Sequence, residues 1–222
     1  MKGYVVTLTQ VPQSVEVANR CIKSAKQFGV DATIFPAVHK NIALQELEYV
    51  GLKLAKFEES YSDTGAVVGN FITQHRIWRT IYESNQPGIV LEHDAVFVAP
   101  IPDLTDQGDI INLGKPSYGR FNTKDAPGVY PMFSKPPVAG LGVYIPGAHG
   151  YYVTPRGACE LIEKAKQLGA SPCDLFLNNL NFPNIKELYP WPIEAHDSFS
   201  TIQKEKGCKA KHNYGKHFKI VT

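Results

Sequence analysis

An α/β domain with a mainly parallel sheet flanked by helices is the fold class this sequence predicts, and three observations predict it. The chain opens on a β-α-β pattern. Helical and strand periodicities alternate along most of its length, and a short apolar run, Ile89 to Leu91, ends in two carboxylates, Glu92 and Asp94. Its 222 residues suffice for one large domain, taken as residues 1–222. Apolar content of 43% and charged content of 20% exclude a wholly disordered chain.

Tyr4 to Leu8 reads as a first strand. Val15, Ala18, Ile22 and Ala25 then recur at helical spacing, Gly29 supplies a stop, and Ala32 to Phe35 form a second strand. This is the usual start of a nucleotide-binding half. Leu44, Leu47, Val50 and Leu54 mark a helix, and a polar loop leads to another over residues 67–84. The strand carrying Glu92 and Asp94 follows at once. Asp109 to Leu113 reads as a further short strand, whereas residues 114–147 are crowded with Gly and Pro and read as a long loop or flap. Tyr151 to Val153 make a strand, and Thr154-Pro-Arg-Gly opens a helix with a threonine N-cap and a proline in its first turn. Leu161, Ile162, Ala165 and Leu168 form its inner face, and Gly169 ends it. Ser171-Pro-Cys-Asp174 starts a shorter helix, and Ile185 to Tyr189 reads as the last strand before the Pro190-Trp-Pro192 turn and a basic tail at 204–222.

The formal net charge is +2, and six lysines after Ile202 face only Glu205, so the rest of the chain is mildly acidic. No recognised nucleic-acid motif accompanies those lysines, which argues against a nucleic-acid partner. The four cysteines are scattered without a CxxC pair, as in a reduced, cytoplasmic setting. The first apolar run is too short for a signal peptide, and no stretch approaches the length of a membrane span.

Glu92 and Asp94 sit where α/β sheets place their ligands, at the carboxyl end of a buried strand. Two acids with one residue between them can point the same way on extended chain, and hard oxygen ligands suit Mg²⁺ or Mn²⁺ holding a diphosphate. His93 between them points to the opposite side. Phe71, Trp78 and Ile81 lie at core spacing on one helix. Tyr118, Phe121, Tyr130, Phe133 and Tyr144 punctuate the Gly/Pro-rich stretch, either as an acceptor platform or as apolar anchors of the loop.

Three segments in order resemble the family 25 glycosyltransferases, which include bacterial lipooligosaccharide galactosyltransferases and procollagen galactosyltransferases and have a GT-A type fold. Gly69-Asn-Phe-Ile-Thr-Gln-His-Arg-Ile-Trp78, running into Val90-Leu-Glu-His-Asp-Ala-Val, is similar to the family's Gly-Cys-x-x-Ser-His-x-x-x-Trp helix and its Leu-Glu-Asp-Asp-Val strand. Gly150-Tyr-Tyr-Val-Thr-Pro-Arg-Gly-Ala158 is similar to Gly-Tyr-x-x-Ser-x-x-Gly-Ala, and Pro172-Cys-Asp174 to the Pro-x-Asp that follows. His196-Asp-Ser-Phe-Ser-Thr-Ile202 resembles the family's C-terminal segment. The chain departs from the pattern where Ser-His becomes Thr73-Gln74, where the acidic triplet becomes Glu92-His93-Asp94, and where Asn-Leu-x-Arg becomes Thr7-Leu8-Thr9-Gln10.

The resemblance implies a metal-dependent, inverting transfer of galactose or glucose from a UDP-sugar to a hydroxyl of a glycan or other acceptor, as in lipopolysaccharide biosynthesis. It implies that Asp94 reaches Mn²⁺ or Mg²⁺ directly and that Glu92 contacts the metal or the donor. Thr7, Thr9 and Gln74 become candidate donor contacts. His196 becomes the candidate to complete the metal shell, with His149 as second choice. Asp174 is either the general base for the acceptor hydroxyl or the acidic member of a Ser171-x-x-Asp174 capping box. A nucleotide-sugar or glycan binding protein of the same fold without turnover, and a metal-dependent hydrolase using the same carboxylates, are the alternatives.

Overall fold

Strand alternation sorts the buried side chains into two layers. The computed structural model describes residues 1–57, 59–60, 62–196, 199–204 and 219–220. In β1 (Lys2–Thr7), Val5 faces one layer and Val6 the other, and both are buried. Parallel neighbours flank this strand: β2 (Asp31–Pro36) on one side and β3 (Gly88–Glu92) on the other. Next come β4 (Ala95–Phe97), β5 (Ile110–Asn112), β6 (Gly128–Pro131), β7 (Gly150–Val153), β8 (Lys186–Tyr189) and β9 (Ile193–Ala195). Seven of these strands form the main sheet, in the order β2-β1-β3-β7-β5-β8-β6. β1, β2, β3, β5 and β8 run one way, and β7 and β6 run against them. The expected class, α/β with a mainly parallel sheet flanked by helices, is therefore the class observed.

One face is covered by α1 (Pro12–Gln27), whose Ala18, Cys21 and Ala25 pack in one apolar cluster with Val5, Ile89 and Leu91. The other face carries α2 (Lys40–Tyr49), α3 (Thr64–Ser84), α4 (Pro155–Leu168) and α5 (Cys173–Phe176). α3 is buried on nearly every side at its centre, as a helix wrapped by α2, α4 and the sheet must be. Its entry is fixed by Asp63, which accepts from the Ala66 amide. Gly69 lets it approach the chain after β2, because a Cβ there would lie 2.4 Å from the Val38 carbonyl oxygen. Thr73 seals that approach, accepting from the Val38 amide and donating to the Gly69 carbonyl. Phe71, Trp78 and Ile81 are fully buried, and Phe176 of α5 stacks on Trp78 at 5.8 Å.

Several elements differ from expectation. α2 ends at Tyr49, short of Leu54; Leu44 and Leu54 are exposed, and Ala43 and Leu47 make the buried face. Leu168 of α4 is likewise exposed, with Gly157, Ala158, Leu161 and Ala165 inward. β9 follows the Pro190–Pro192 turn and pairs with β4, a short strand that no periodicity announces. No side chain caps α5, whose N-cap is Pro172, so the Ser171-x-x-Asp174 capping box does not form. No helix among the described residues is long and apolar enough to cross a membrane. Most of the lysine-rich tail, and Asp197, lie outside the described residues.

The 114–147 stretch contains β6, which joins the sheet edge beside β8, and it is fastened by one buried carboxylate. Glu187 accepts from the Asn112 amide and the Trp191 indole on one oxygen, and from the Phe133 and Ser134 amides on the other. Phe133 stacks on Trp191 at 5.9 Å while Phe121 meets Trp191 edge-on, so these aromatics anchor the loop. Lys135 donates to the Tyr118 and Arg120 carbonyls and closes the loop on itself.

Two stability predictions follow from these contacts. Glu187→Gln leaves an NH₂ group facing N–H donors, and an unsatisfied buried donor costs about 1–3 kcal/mol, so the melting temperature should fall by at least about 2 °C. An unchanged melt would remove Glu187 as the fastening point. At the start of α4, partial burial works to raise the Asp109 carboxyl, but hydrogen bonds from Arg156 and Thr154 hold it below its usual range. A pKa lowered by folding stabilises above the unfolded value of about 3.9, and that stabilisation is lost as pH falls through the folded value. Asp109→Asn should therefore cost about 0.5–1 kcal/mol at neutral pH, discounted because Arg156 is largely exposed. The deficit should shrink below about pH 4 in thermal melts, and a deficit independent of pH would refute the linkage.

Candidate functional site

β3 sets the position of the site. The chain leaves β1 toward β2 on one side and returns as β3 on the other, so a crevice opens at the carboxyl ends of β1 and β3, where Val6 is in register with Glu92. Alternation along β3 turns Ile89 and Leu91 to the α1 layer and Val90 to the α3 layer. Glu92, two residues after Val90, takes the α3 side as well. Asp94 follows in the turn before β4 and is buried. His93 points the other way, with Nδ1 3.2 Å from the Ser14 hydroxyl at the start of α1.

The antiparallel partner β7 brings in a third group. Leu91 is in register with Gly150, and the Glu92 amide donates to the His149 carbonyl, so His149 lies opposite Glu92 on the same face of the ladder. Its ring is 1% exposed, with Nδ1 3.7 Å from Glu92 and 3.8 Å from Asp94. One ligand atom from each of Glu92, Asp94 and His149 lies within 4.8 Å of the other two. These separations exceed hydrogen-bond length, and Asp94 Oδ1 and both His149 ring nitrogens are buried without a hydrogen-bond partner. Orphaned polar atoms facing one another are costly unless something sits between them. Two carboxylate oxygens and an imidazole nitrogen are a donor set that fits a divalent cation, with Mn²⁺ better suited than Mg²⁺ because Mg²⁺ prefers oxygen throughout.

The charges are strongly interdependent. Burial raises Glu92 to about 7, aided by the neighbouring Asp94 and opposed by His149. Burial also works against ionised Asp94, but the His149 ring outweighs it and holds this carboxyl below the usual range. Burial alone would neutralise His149; the facing Asp94 and Glu92 instead raise it to about 10. The two facing carboxyl groups thus favour a proton on His149, and a cation bound among the three would displace it.

Asp174 of α5 lies within electrostatic reach of the same cluster. Its burial raises it to about 6, against the Leu175 amide that donates to Oδ1 and the attraction of His149. On the α3 side, Gln74 is fully buried; it accepts from the Tyr151 hydroxyl and donates to Asn70, and Asn70 donates to Glu92. Thr7 is fully buried at the end of β1 and its hydroxyl donates to the Val5 carbonyl, while Thr9 is exposed in the turn before α1. The His196 amide donates to the Asp94 carbonyl, but its ring is turned to Glu194, 3.2 Å away.

Sequence reasoning ranked His149 behind His196, and it did not single out Asn70 or Tyr151. The available signal was position: His149 immediately precedes the strand Gly150–Val153, and Asn70 and Gln74 are four apart on a helix and so share a face. Gly147 also belongs to the site. It has a φ of +84°, and a Cβ there would lie 2.4 Å from His149 Nε2 and 2.8 Å from Ser117 Oγ.

No protein-family profile and no curated protein matches the chain. Among solved structures, one similar chain is described as a glucose-1-phosphate thymidylyltransferase of Bacillus anthracis in complex with sucrose. It shows 14% identity and a TM-score of 0.42 over 84% of this chain and 86% of that one. Another is the glycosyltransferase GlyE of Streptococcus pneumoniae, at 12% identity and a TM-score of 0.39, covering 85% of this chain and 45% of the longer protein. At these values neither likeness assigns an activity.

Gly147→Ala should displace the His149 ring, adding a steric clash to the cost of about 1–2 kcal/mol for a left-handed alanine. A shifted set of His149 imidazole resonances with a lowered melting temperature is the expected outcome; unmoved resonances would show that the ring does not depend on this glycine.

Proposed function

We propose that this chain is a metal-dependent glycosyltransferase of GT-A type that moves a hexose, galactose or glucose, from a UDP-sugar to an acceptor hydroxyl with inversion. The observation that carries the reading is the convergence of Glu92, Asp94 and His149, with orphaned buried atoms facing inward, at the carboxyl end of the strand crevice. Glu92, Asp94 and His149 would hold Mn²⁺, which when bound supplies positive charge to the departing diphosphate.

The other roles belong to this chain's own side chains. Asp174 receives the proton of the acceptor hydroxyl; its half-buried carboxyl, raised to about 6, is close enough to neutrality to be an effective base while still largely ionised. The acceptor oxygen then bonds to the anomeric carbon from the face opposite the diphosphate, and the breaking carbon–oxygen bond leaves its electron pair on UDP. Thr9, exposed after β1, and Gln74, acting through Asn70, would serve the donor side, whereas the buried Thr7 hydroxyl is committed to the Val5 carbonyl. The fastened 114–147 loop, whose end meets the chain beside α5 through Val143 and Ile145, would supply the acceptor side.

Calorimetric titration of UDP-sugars into the purified chain, first with Mn²⁺ and then with EDTA, tests this reading. The expected result is binding of one UDP-sugar that EDTA abolishes. Asp94→Asn should weaken that binding at least about tenfold, with the melting temperature measured alongside because the substitution also removes a buried partner of His149. Asp174→Asn should retain donor binding and lose transfer by about 10²-fold or more. Affinity that neither EDTA nor Asp94→Asn alters would remove the cation site. Metal-dependent binding without transfer would identify a binding protein, and sugar release indifferent to acceptor a hydrolase.

A further inference from the structure

Glu92 terminates a one-way hydrogen-bond chain that runs through the buried interface of α3 and β7. It begins at the Trp78 indole, whose Nε1–H can only donate and does so to the Tyr151 hydroxyl at 2.7 Å. With its oxygen accepting there, the Tyr151 hydroxyl donates to Gln74 Oε1 at 2.7 Å. The Gln74 amide is thereby oriented, and its Nε2 donates to Asn70 Oδ1 at 3.1 Å. Asn70 in turn aims Nδ2 at Glu92 Oε1, 3.4 Å away. A donor-only group at the far end thus decides, link by link, which end of each amide faces the next residue.

This polarity is not needed for packing. Trp78, Tyr151 and Gln74 are all fully buried, beside the apolar cluster of Phe71, Ile77, Ile81 and Phe176. Apolar side chains of similar size would fill that space without the desolvation that buried hydroxyl and amide groups carry. The chain also does not close on a backbone group. It ends on a partly exposed carboxylate whose second oxygen, Oε2, faces His149.

We propose that Asn70, Gln74 and Tyr151 are positioning residues for Glu92: they deliver a donor to Oε1 and leave Oε2 turned toward Asp94 and His149, so that Glu92 meets a divalent cation through one defined oxygen. The inference rests on the cation site proposed above. Groups that hold a metal ligand from behind commonly change metal affinity tenfold to hundredfold when removed.

The test is calorimetric titration of Mn²⁺ alone into the full chain and into Tyr151→Phe, Asn70→Ala and the double variant, with melting temperatures measured for each. The hydrogen-bond path from Tyr151 to Glu92 runs through Gln74 and Asn70, so Tyr151→Phe should weaken Mn²⁺ binding about tenfold, and Asn70→Ala by at least as much. In the Asn70→Ala background the link is already cut, so Tyr151→Phe should lower affinity no further. Gln74→Met is the second entry into the chain should Tyr151→Phe fail to fold, and it should behave the same way in both backgrounds. Unchanged affinity in the single variants, or losses that multiply in the double, would overturn the positioning role whatever happens to stability. An unaltered chain that takes up no Mn²⁺ would overturn the cation site and this role with it, whereas normal uptake with unresponsive variants would overturn this role alone.

Discussion

The antiparallel register between β3 and β7 is the constraint on which the candidate site depends. Leu91 opposite Gly150 places His149 opposite Glu92, and residues directly opposite in such a ladder share a face. A slip of one residue would send His149 to the α1 layer and leave two acids alone in the crevice. The register is itself held by close packing. A Cβ on Gly150 would lie 2.6 Å from Ile193, and the Leu113 amide donates to the Gly150 carbonyl, so β7 is gripped from both sides. β9, which carries Ile193, is short and inconspicuous, yet it backs the strand that positions the imidazole.

Low dielectric does the rest. In the crevice the cost of burying charge is high enough to raise Glu92 and Asp174, while the His149 ring, aided by His93, keeps Asp94 ionised. These opposing shifts divide the carboxyl groups into two kinds. Asp94 stays ionised, whereas Glu92, raised to about 7, and Asp174, raised to about 6, titrate closer to neutrality. The division comes from environment, since the three side chains have nearly the same intrinsic acidity.

Within each motif the residues separate into packing and site roles. Gly69 and Thr73 bring α3 against the chain after β2, whereas Asn70 and Gln74, on the neighbouring face of the same helix, reach toward Glu92. Gly157 admits the backbone of Asp109 beneath α4 and Thr154 caps that helix, whereas Tyr151, in the same motif, reaches Gln74. The 114–147 loop follows the same division. Glu187 and Trp191 hold its middle, and hydrogen bonds of Val143 and Ile145 to Asn179 and Leu177 hold its end beside α5. Its aromatic residues Phe121 and Phe133 are spent on that anchoring.

By itself the sequence determined the class of fold, the order and approximate limits of β1, α1, β2, α3, β3, β7 and α4, and the placement of Glu92 and Asp94 at a strand end. Those features are local: periodicity, a proline after a threonine cap, and an apolar run ended by acids are all legible within ten to twenty residues. Tertiary structure decided what depends on distant pairings. That β7 runs against β3, that His149 rather than His196 closes on the two acids, and that β9 exists at all follow from contacts between residues about 50 to 100 positions apart. The exposure of Leu44, Leu54 and Leu168 was hidden for the same reason, because apolar spacing shows which residues share a helix face but not whether another element arrives to cover it.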